Sequence, residues 1–431
     1  MINKLGWYYI WTKHFSSSER KQLLAFFLRV VIEYCGYFLL LSHHHSIAMI
    51  IFDTTSWYPV TMYFELIFCL TFLGSFILSY LLFIKQYAGK YLRWLEYLSF
   101  FGLFFYLAFF ALGLNFLKTS HVSQIKLLFI VISVFFLICN GYEKYIRISN
   151  LLVIASDKIK YLFLTQGFFL SIAIGLFAAS FCIKASLIGG HHHFNQMELM
   201  VIPTLAFSFL SAVVDCSIYH SSLINLRLLV ITDILNKLRI HRKELLARLL
   251  VNLMIGVFLV KWYFNLPFLL QYSEKWTPSA IANIILICSV VSILGGLVFR
   301  YLFKKFDIYK LFTYSILIYL ALISIIHINL YYHYMVGLSV IMMALLYNFL
   351  NGIINRIIHH NYIDISINIV LLIVGSAISI VVIAFISSSI SIVLAKKIGI
   401  QSTPIVNALV LLTVSLLGLF GFYKMERVNE I

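Results

Sequence analysis

Apolar runs of about 18 to 25 residues recur along the chain with short polar intervals between them, and a helix of that length crosses a hydrocarbon core about 30 Å thick. Averaged over about 19 residues, hydropathy predicts spans near 23–41, 59–83, 95–117, 125–141, 161–183, 198–222, 247–270, 279–299, 311–328, 333–355, 366–393 and 404–423. The runs lack the alternating ten-residue pattern of a membrane barrel, and an open strand edge could not satisfy its backbone in lipid. The expected fold class is therefore all-α integral membrane, with about twelve transmembrane helices.

Composition sharpens this picture. Of the 431 residues, 62% are hydrophobic and 11% charged, with a mean hydropathy of +0.98, where a soluble domain spends about 25% on charged residues. The formal charge of +16 does not mark a nucleic-acid binder, because the 32 Lys and Arg residues are spread in small groups between spans. The six cysteines (Cys35, Cys69, Cys139, Cys182, Cys216 and Cys288) lie in or at the ends of apolar runs without CxxC spacing. They read as small core residues, with neither a disulfide framework nor a thiolate metal site. The first 22 residues are polar and aromatic and do not form a cleavable signal peptide.

Positive loops stay cytoplasmic. With the amino terminus inside, 24 of the 32 basic residues fall in cytoplasmic segments, six on the opposite side, and Arg29 and Lys261 within spans. That split supports an even span count and a multi-pass protein of the cytoplasmic membrane with both termini inside. The longest hydrophilic interval, NLRLLVITDILNKLRIHRKELLAR, follows the sixth expected span and carries six basic residues among helically spaced apolar ones. It reads as an amphipathic helix on the membrane surface. The expected domains are a six-helix bundle over 1–222, a basic cytoplasmic linker over 223–246 and a second six-helix bundle over 247–431.

Two six-helix halves joined by a basic linker resemble the major facilitator superfamily of secondary transporters. Its loop signature, a Gly, an apolar stretch, Asp-Arg, then Gly with basic residues, is similar to GSFILSYLLFIKQYAGKYLRW after the second span and GGLVFRYLFKKFD after the eighth. The first keeps Gly74, Gly89, Lys90 and Arg93; the second keeps Gly295, Arg300, Lys304 and Lys305; both lack the Asp-Arg pair. The resemblance implies a gating role for Gly89, Lys90, Arg93, Arg300, Lys304 and Lys305. A fainter resemblance is to the proton-dependent oligopeptide transporter branch: VVIEYCGYF keeps Glu33 and Tyr37 of that branch's first-helix motif, with Val30 and Tyr34 where the motif has Glu and Arg.

Ionisable groups at membrane depth cost about 3 kcal/mol each on insertion scales and mark cavities, partners or proton paths. The candidates for substrate binding or proton coupling are Arg29 and Glu33 in the first span, Glu65 in the second and Lys261 in the seventh. Arg29 and Glu33 are four apart, on one helix face where they can pair. Lys261 occupies the equivalent depth in the second half, so Glu33 and Lys261 are expected to face one central cavity from opposite halves. Asp215, near His220, reads as interfacial. His43, His44 and His45, with His191, His192 and His193, are expected on the outer side; adjacent imidazoles diverge, and no carboxylate or thiolate accompanies them, so they read as solvent-facing and no metal site is assigned. Asn348, Asn351 and Asn355 share a face and suit helix-to-helix hydrogen bonding.

No GxxxxGK[ST] phosphate-binding sequence is present. The expected function is a secondary active transporter moving a small solute by alternating access, coupled to protons, with membrane lipids as surroundings, no cofactor and no nucleic acid. The alternatives are a lipid-linked sugar flippase or a membrane enzyme of surface-polysaccharide assembly. The enzyme would need a catalytic outer loop, whereas the outer segments hold only Asp53 and Glu274 clear of the spans, with Glu198 at a span edge.

Overall fold

A computed structural model describes residues 7–42, 158–189, 306 and 308–328, with shorter helical stretches inside 101–135, 205–213, 280–294, 337–346 and 393–420. Among the described residues every regular element is helical. The continuous helices are α1 (Trp7–His14), α2 (Ser17–Ser42), α3 (Lys158–Gly189) and α4 (Ile308–Ile328). The chain divides into two compact units, residues 1–60 with 70–234, and 61–69 with 235–431. Helices α1 to α3 lie in the first and α4 in the second. The expected linker over 223–246 and the spans near 59–83 and 247–270 lie outside the described residues.

The start of α2 is written locally. Ser16 caps it: the Glu19 amide donates to Ser16 Oγ at 3.2 Å and the Ser16 amide donates to Glu19 Oε2 at 2.7 Å. This reciprocal capping box satisfies two helix-terminal donors, and the Arg20 amide closes the first turn on the Ser16 carbonyl. The helix thus begins a turn and a half before the expected apolar run. The polar first turn belongs to the helix because it is capped, which hydropathy does not register.

Glu19 also accepts a hydrogen bond from Lys160 Nζ of α3 at 2.8 Å. Burial alone would raise its carboxyl, but the Lys160 and Ser16 hydrogen bonds prevail and hold it below its ordinary value of 4.5. Lys160 Nζ lies 5.4 Å from the centre of the Phe15 ring, within cation–π range. Trp11, Phe15 and Phe163 close an aromatic cluster with ring separations of 5.2 to 6.1 Å. The short helix α1, which the hydropathy of its sequence does not single out, is held against α3 by these rings.

Beyond that end, α2 and α3 run parallel. Phe27 meets Phe163 and Gly167, Phe26 stacks on Phe168, Tyr34 meets Phe168 edge-on, and Val31 meets Gly175. Parallel helices are entered from the same side, as the first and fifth spans must be. Buried Gly167, Ser171, Gly175 and Ala179 recur every fourth residue on α3, a small-residue ridge that lets two backbones approach. A Cβ on Gly175 would sit 2.5 Å from the Val31 carbonyl oxygen and 3.2 Å from the Cys35 nitrogen; one on Gly167 would strike the Phe27 ring.

The packing is inside-out by the standard of a soluble protein. Ser171, Ser180, Ser208, Ser289, Ser315 and Ser339 are buried, whereas Leu170, Ile174, Phe177 and Phe181 of α3 and Tyr314, Leu317 and Ile318 of α4 are exposed. Several of these hydroxyls are satisfied within their own helices: Ser171 donates to the Gly167 carbonyl, Ser180 to Leu176, Ser289 to Ile285 and Ser315 to Leu311. Long exposed apolar stripes suit a lipid surrounding rather than water. Among the side chains described without a break, no helix is long and apolar enough to cross a membrane; the longest such stretch, 17–35, carries Glu19, Arg20, Lys21, Arg29 and Glu33. In the second unit, Phe312, Ser315, Ile316 and Tyr319 form the buried face of α4, and Cys288 Sγ approaches the Val340 carbonyl at 4.0 Å.

Two outcomes follow. Gly175→Ala should lower the thermal unfolding midpoint in detergent more than Gly167→Ala, because backbone blocks the first and a ring edge the second; overpacking costs about 1–3 kcal/mol, and equal midpoints would contradict the ridge. Glu19→Ala should cost about 1 kcal/mol through the lost cap, and Glu19→Gln less, since an amide preserves the capping box. Because the folded carboxyl titrates below its unfolded value, its stabilisation is present above pH 4.5 and fades as pH falls through the folded value. Unfolding midpoints of wild type and Glu19→Gln measured against pH should therefore converge in acid.

Candidate functional site

Helix α2 carries charge where a membrane helix can least accommodate it. Arg29 is 2% exposed and Glu33 5%, and Gln22 is buried at the same side. Positions 22, 29 and 33 stand at i, i+7 and i+11, which the 3.6-residue period places on one stripe. The opposite side presents Leu24, 63% exposed, and Leu28. The helix therefore turns its polar stripe inward and its leucines outward.

The residues of α2 that meet α3 include Glu19 and Phe26, which border the stripe, and Phe27, Val31, Tyr34 and Cys35, about a third of a turn or more around the helix from Arg29 and Glu33. Hence the α2–α3 interface sets the rotation of α2, and that rotation aims the polar stripe. Arg29 Nε and Nη1 are buried and make no hydrogen bond, while both Arg29 and Glu33 have other interactions. A buried charge is tolerated when paired and costly when its partner is removed.

Of the site residues expected from the sequence, Arg29 and Glu33 are buried on one face of α2. Glu65 and Lys261 lie outside the described residues, as do Gly89, Lys90, Arg93, Arg300, Lys304 and Lys305, and the histidines 43–45 and 191–193. Among the described residues no cluster of three or more His, Cys, Asp or Glu side chains could hold a metal ion. Three features had escaped the sequence reading. Gln22 joins the stripe, detectable from its spacing to Arg29 and Glu33. The GxxxSxxxGxxxA ridge of α3 was present in the letters. Tyr319, 1% exposed on α4, carried no signal beyond its position in an apolar run.

Cys35 and Cys182 are half-buried, and their thiols are free.

No protein-family model and no curated protein matches this chain. Solved structures do. A bacterial homologue of the iron transporter ferroportin, in an outward-facing state, aligns with a TM-score of 0.60 at 14% identity, covering 96% of this chain and 100% of that one. A bacterial metal transporter aligns with a TM-score of 0.61 at 13% identity over 95% and 99%. The E. coli fucose:proton symporter, described as a major facilitator superfamily transporter, aligns in its outward conformation with a TM-score of 0.57 at 14% identity over 93% and 97%. At these identities the likeness shows the fold: a multi-pass helical membrane protein with the architecture of that superfamily.

A double-mutant cycle tests whether Arg29 and Glu33 act as one electrostatic unit. Arg29→Met or Glu33→Leu alone should each destabilise by about 3 kcal/mol, as removal of one partner of a buried pair does, and the double variant should cost less than the sum of the two. Additive losses in unfolding measurements would show that the two side chains answer to different partners.

Proposed function

We propose that this chain, built on the major facilitator architecture, is a secondary active transporter that moves a small solute across the cytoplasmic membrane by alternating access, coupled to protons. The observation that carries the reading is the inward stripe of Gln22, Arg29 and Glu33 on a helix whose other side is exposed leucine. Nothing in helix packing requires two charges there, and intramembrane ionisable residues serve substrate and proton pathways. In this architecture solute sites lie near the midplane where the halves meet. Glu33 is the proton-exchanging group in this reading, and Arg29 holds it in place and balances its charge.

The charge balance narrows the solute. A fixed guanidinium near the carboxylate opposes the field of a bare divalent cation and suits a neutral or zwitterionic solute better. The relatives in fold include both kinds by their descriptions, a sugar:proton symporter and metal transporters, so the solute class is decided by the residues of this chain. Lys261, an intramembrane charge of the second half by sequence, is a further candidate for the same cycle.

Uptake into proteoliposomes under an imposed proton gradient tests the reading, with sugars, amino acids, dipeptides and divalent metal ions offered in turn. Gradient-driven accumulation is expected for a neutral or zwitterionic solute, reduced at least tenfold in Glu33→Gln and in Lys261→Ala. Near-normal accumulation in both variants would remove these residues from the mechanism. Gradient-independent behaviour throughout would favour a facilitated or lipid-linked substrate.

A further inference from the structure

The side of α1 that turns away from α3 has a composition of its own. Ile10 is buried and Trp11 packs on Phe163, whereas Tyr8, 80% exposed, Tyr9 and Lys13 stand outward. Lys13 Nζ lies 4.7 Å from the centre of the Tyr9 ring one turn earlier, and the Thr12 hydroxyl donates to the Tyr8 and Tyr9 carbonyls. No acidic residue lies in α1, and Glu19, the next carboxylate along the chain, is held by Ser16 and Lys160. The outward side of α2 shows the depth at which this face stands. Ser17, Lys21, Leu24 and Leu28 are exposed at i, i+4, i+7 and i+11, one stripe of the helix. It turns from polar to apolar between Lys21 and Leu24, about 4.5 Å along the axis. Leucines exposed on a membrane helix face acyl chains, so the turn before them lies at the headgroups. Only Phe15 and Ser16 separate α1 from that turn. In α4 the grading recurs, with Lys310, Tyr314 and Leu317 exposed at i, i+4 and i+7.

We propose that the outward face of α1 and the first turn of α2 hold anionic phospholipid: Tyr8 and Tyr9 seat α1 among the headgroups, and Lys13 and Lys21 take lipid phosphates. Phenol rings favour this layer because one end is apolar and the other wet. A lysine stem lies along apolar surface while its ammonium stays among polar groups. The charge selects the occupant. Two exposed ammonium groups, with no carboxylate among the described residues of this face, attract a headgroup of net negative charge. A zwitterionic headgroup brings an ammonium of its own, which they repel. Lipid on one side and the Trp11, Phe15 and Phe163 cluster on the other then fix α1 at the membrane boundary.

Native mass spectrometry of the full-length protein tests this. Delipidated protein in detergent is offered phosphatidylglycerol and phosphatidylcholine with the same acyl chains, in equal amounts. Wild type should retain phosphatidylglycerol in preference. Lys13→Gln and Lys21→Gln should each lower that preference about fivefold and the double variant about 25-fold, the effect of one and of two lysines at a charged membrane surface. Lys13→Arg and Lys21→Arg should keep it, and Tyr8→Ala should weaken retention of both lipids alike. Equal retention of the two lipids by wild type would overturn the proposal, as would an undiminished preference in the double glutamine variant. An equal loss on Lys397→Gln, which removes an exposed lysine of the other unit, would also overturn it, by showing that net charge rather than this face attracts the lipid. Wild type alone decides the first outcome if a variant fails to fold. The measurement reads lipid retention, so it stands or falls apart from the transport reading.

Discussion

The described part of the first unit depends on how closely α2 and α3 approach. Gly167 and Gly175 remove the side chains that would hold the helices apart, and the Val31 carbonyl and Cys35 amide fill the space. Lipid offers no hydrophobic drive for one apolar helix to prefer another, so association rests on close packing. Once the ridge is seated, Phe26 and Phe27 interlock with Phe163 and Phe168, Lys160 reaches Glu19, and α1 finds its aromatic platform. The ridge also fixes the rotation of α2, and with it the direction of the stripe that carries Arg29 and Glu33.

Two kinds of polarity are thereby kept separate. At the end of the bundle near α1, charge is partly wetted and anchored: Glu19 combines helix capping with an inter-helix ion pair. Deeper along α2, charge is enclosed, and desolvation is offset only by partners within the protein. A surface pair of the first kind contributes about 1 kcal/mol or less; the second kind is conditional, favourable with its partner and strongly unfavourable without it. That conditionality is what a carrier can exploit, since a solute or proton that alters one partner alters the standing of the other.

Much of the architecture was legible in the letters. The helical character of the chain follows from composition and period, as α2, α3 and α4 bear out, and the fold of the similar solved structures agrees with the resemblance read from the sequence. What hydropathy missed has common causes. The capped first turn of α2 is polar, so it disappears from an apolar average although Ser16 and Glu19 announce it. The ridge on α3 is made of residues chosen for what they lack, and α1 is stabilised by rings that lie far away in sequence.

The serines of these helices hold a further lesson. Ser171, Ser180, Ser289 and Ser315 each return their hydroxyl proton to a carbonyl one turn earlier, which leaves no directional donor aimed at a neighbouring helix. Such surfaces are smooth in the chemical sense: a helix can rotate or shift by a fraction of a turn against its neighbour without breaking a hydrogen bond in order to do so. The friction of rearrangement then falls on a few discrete fasteners, and the timing of any motion is set by those fasteners rather than by the broad area of packing between them.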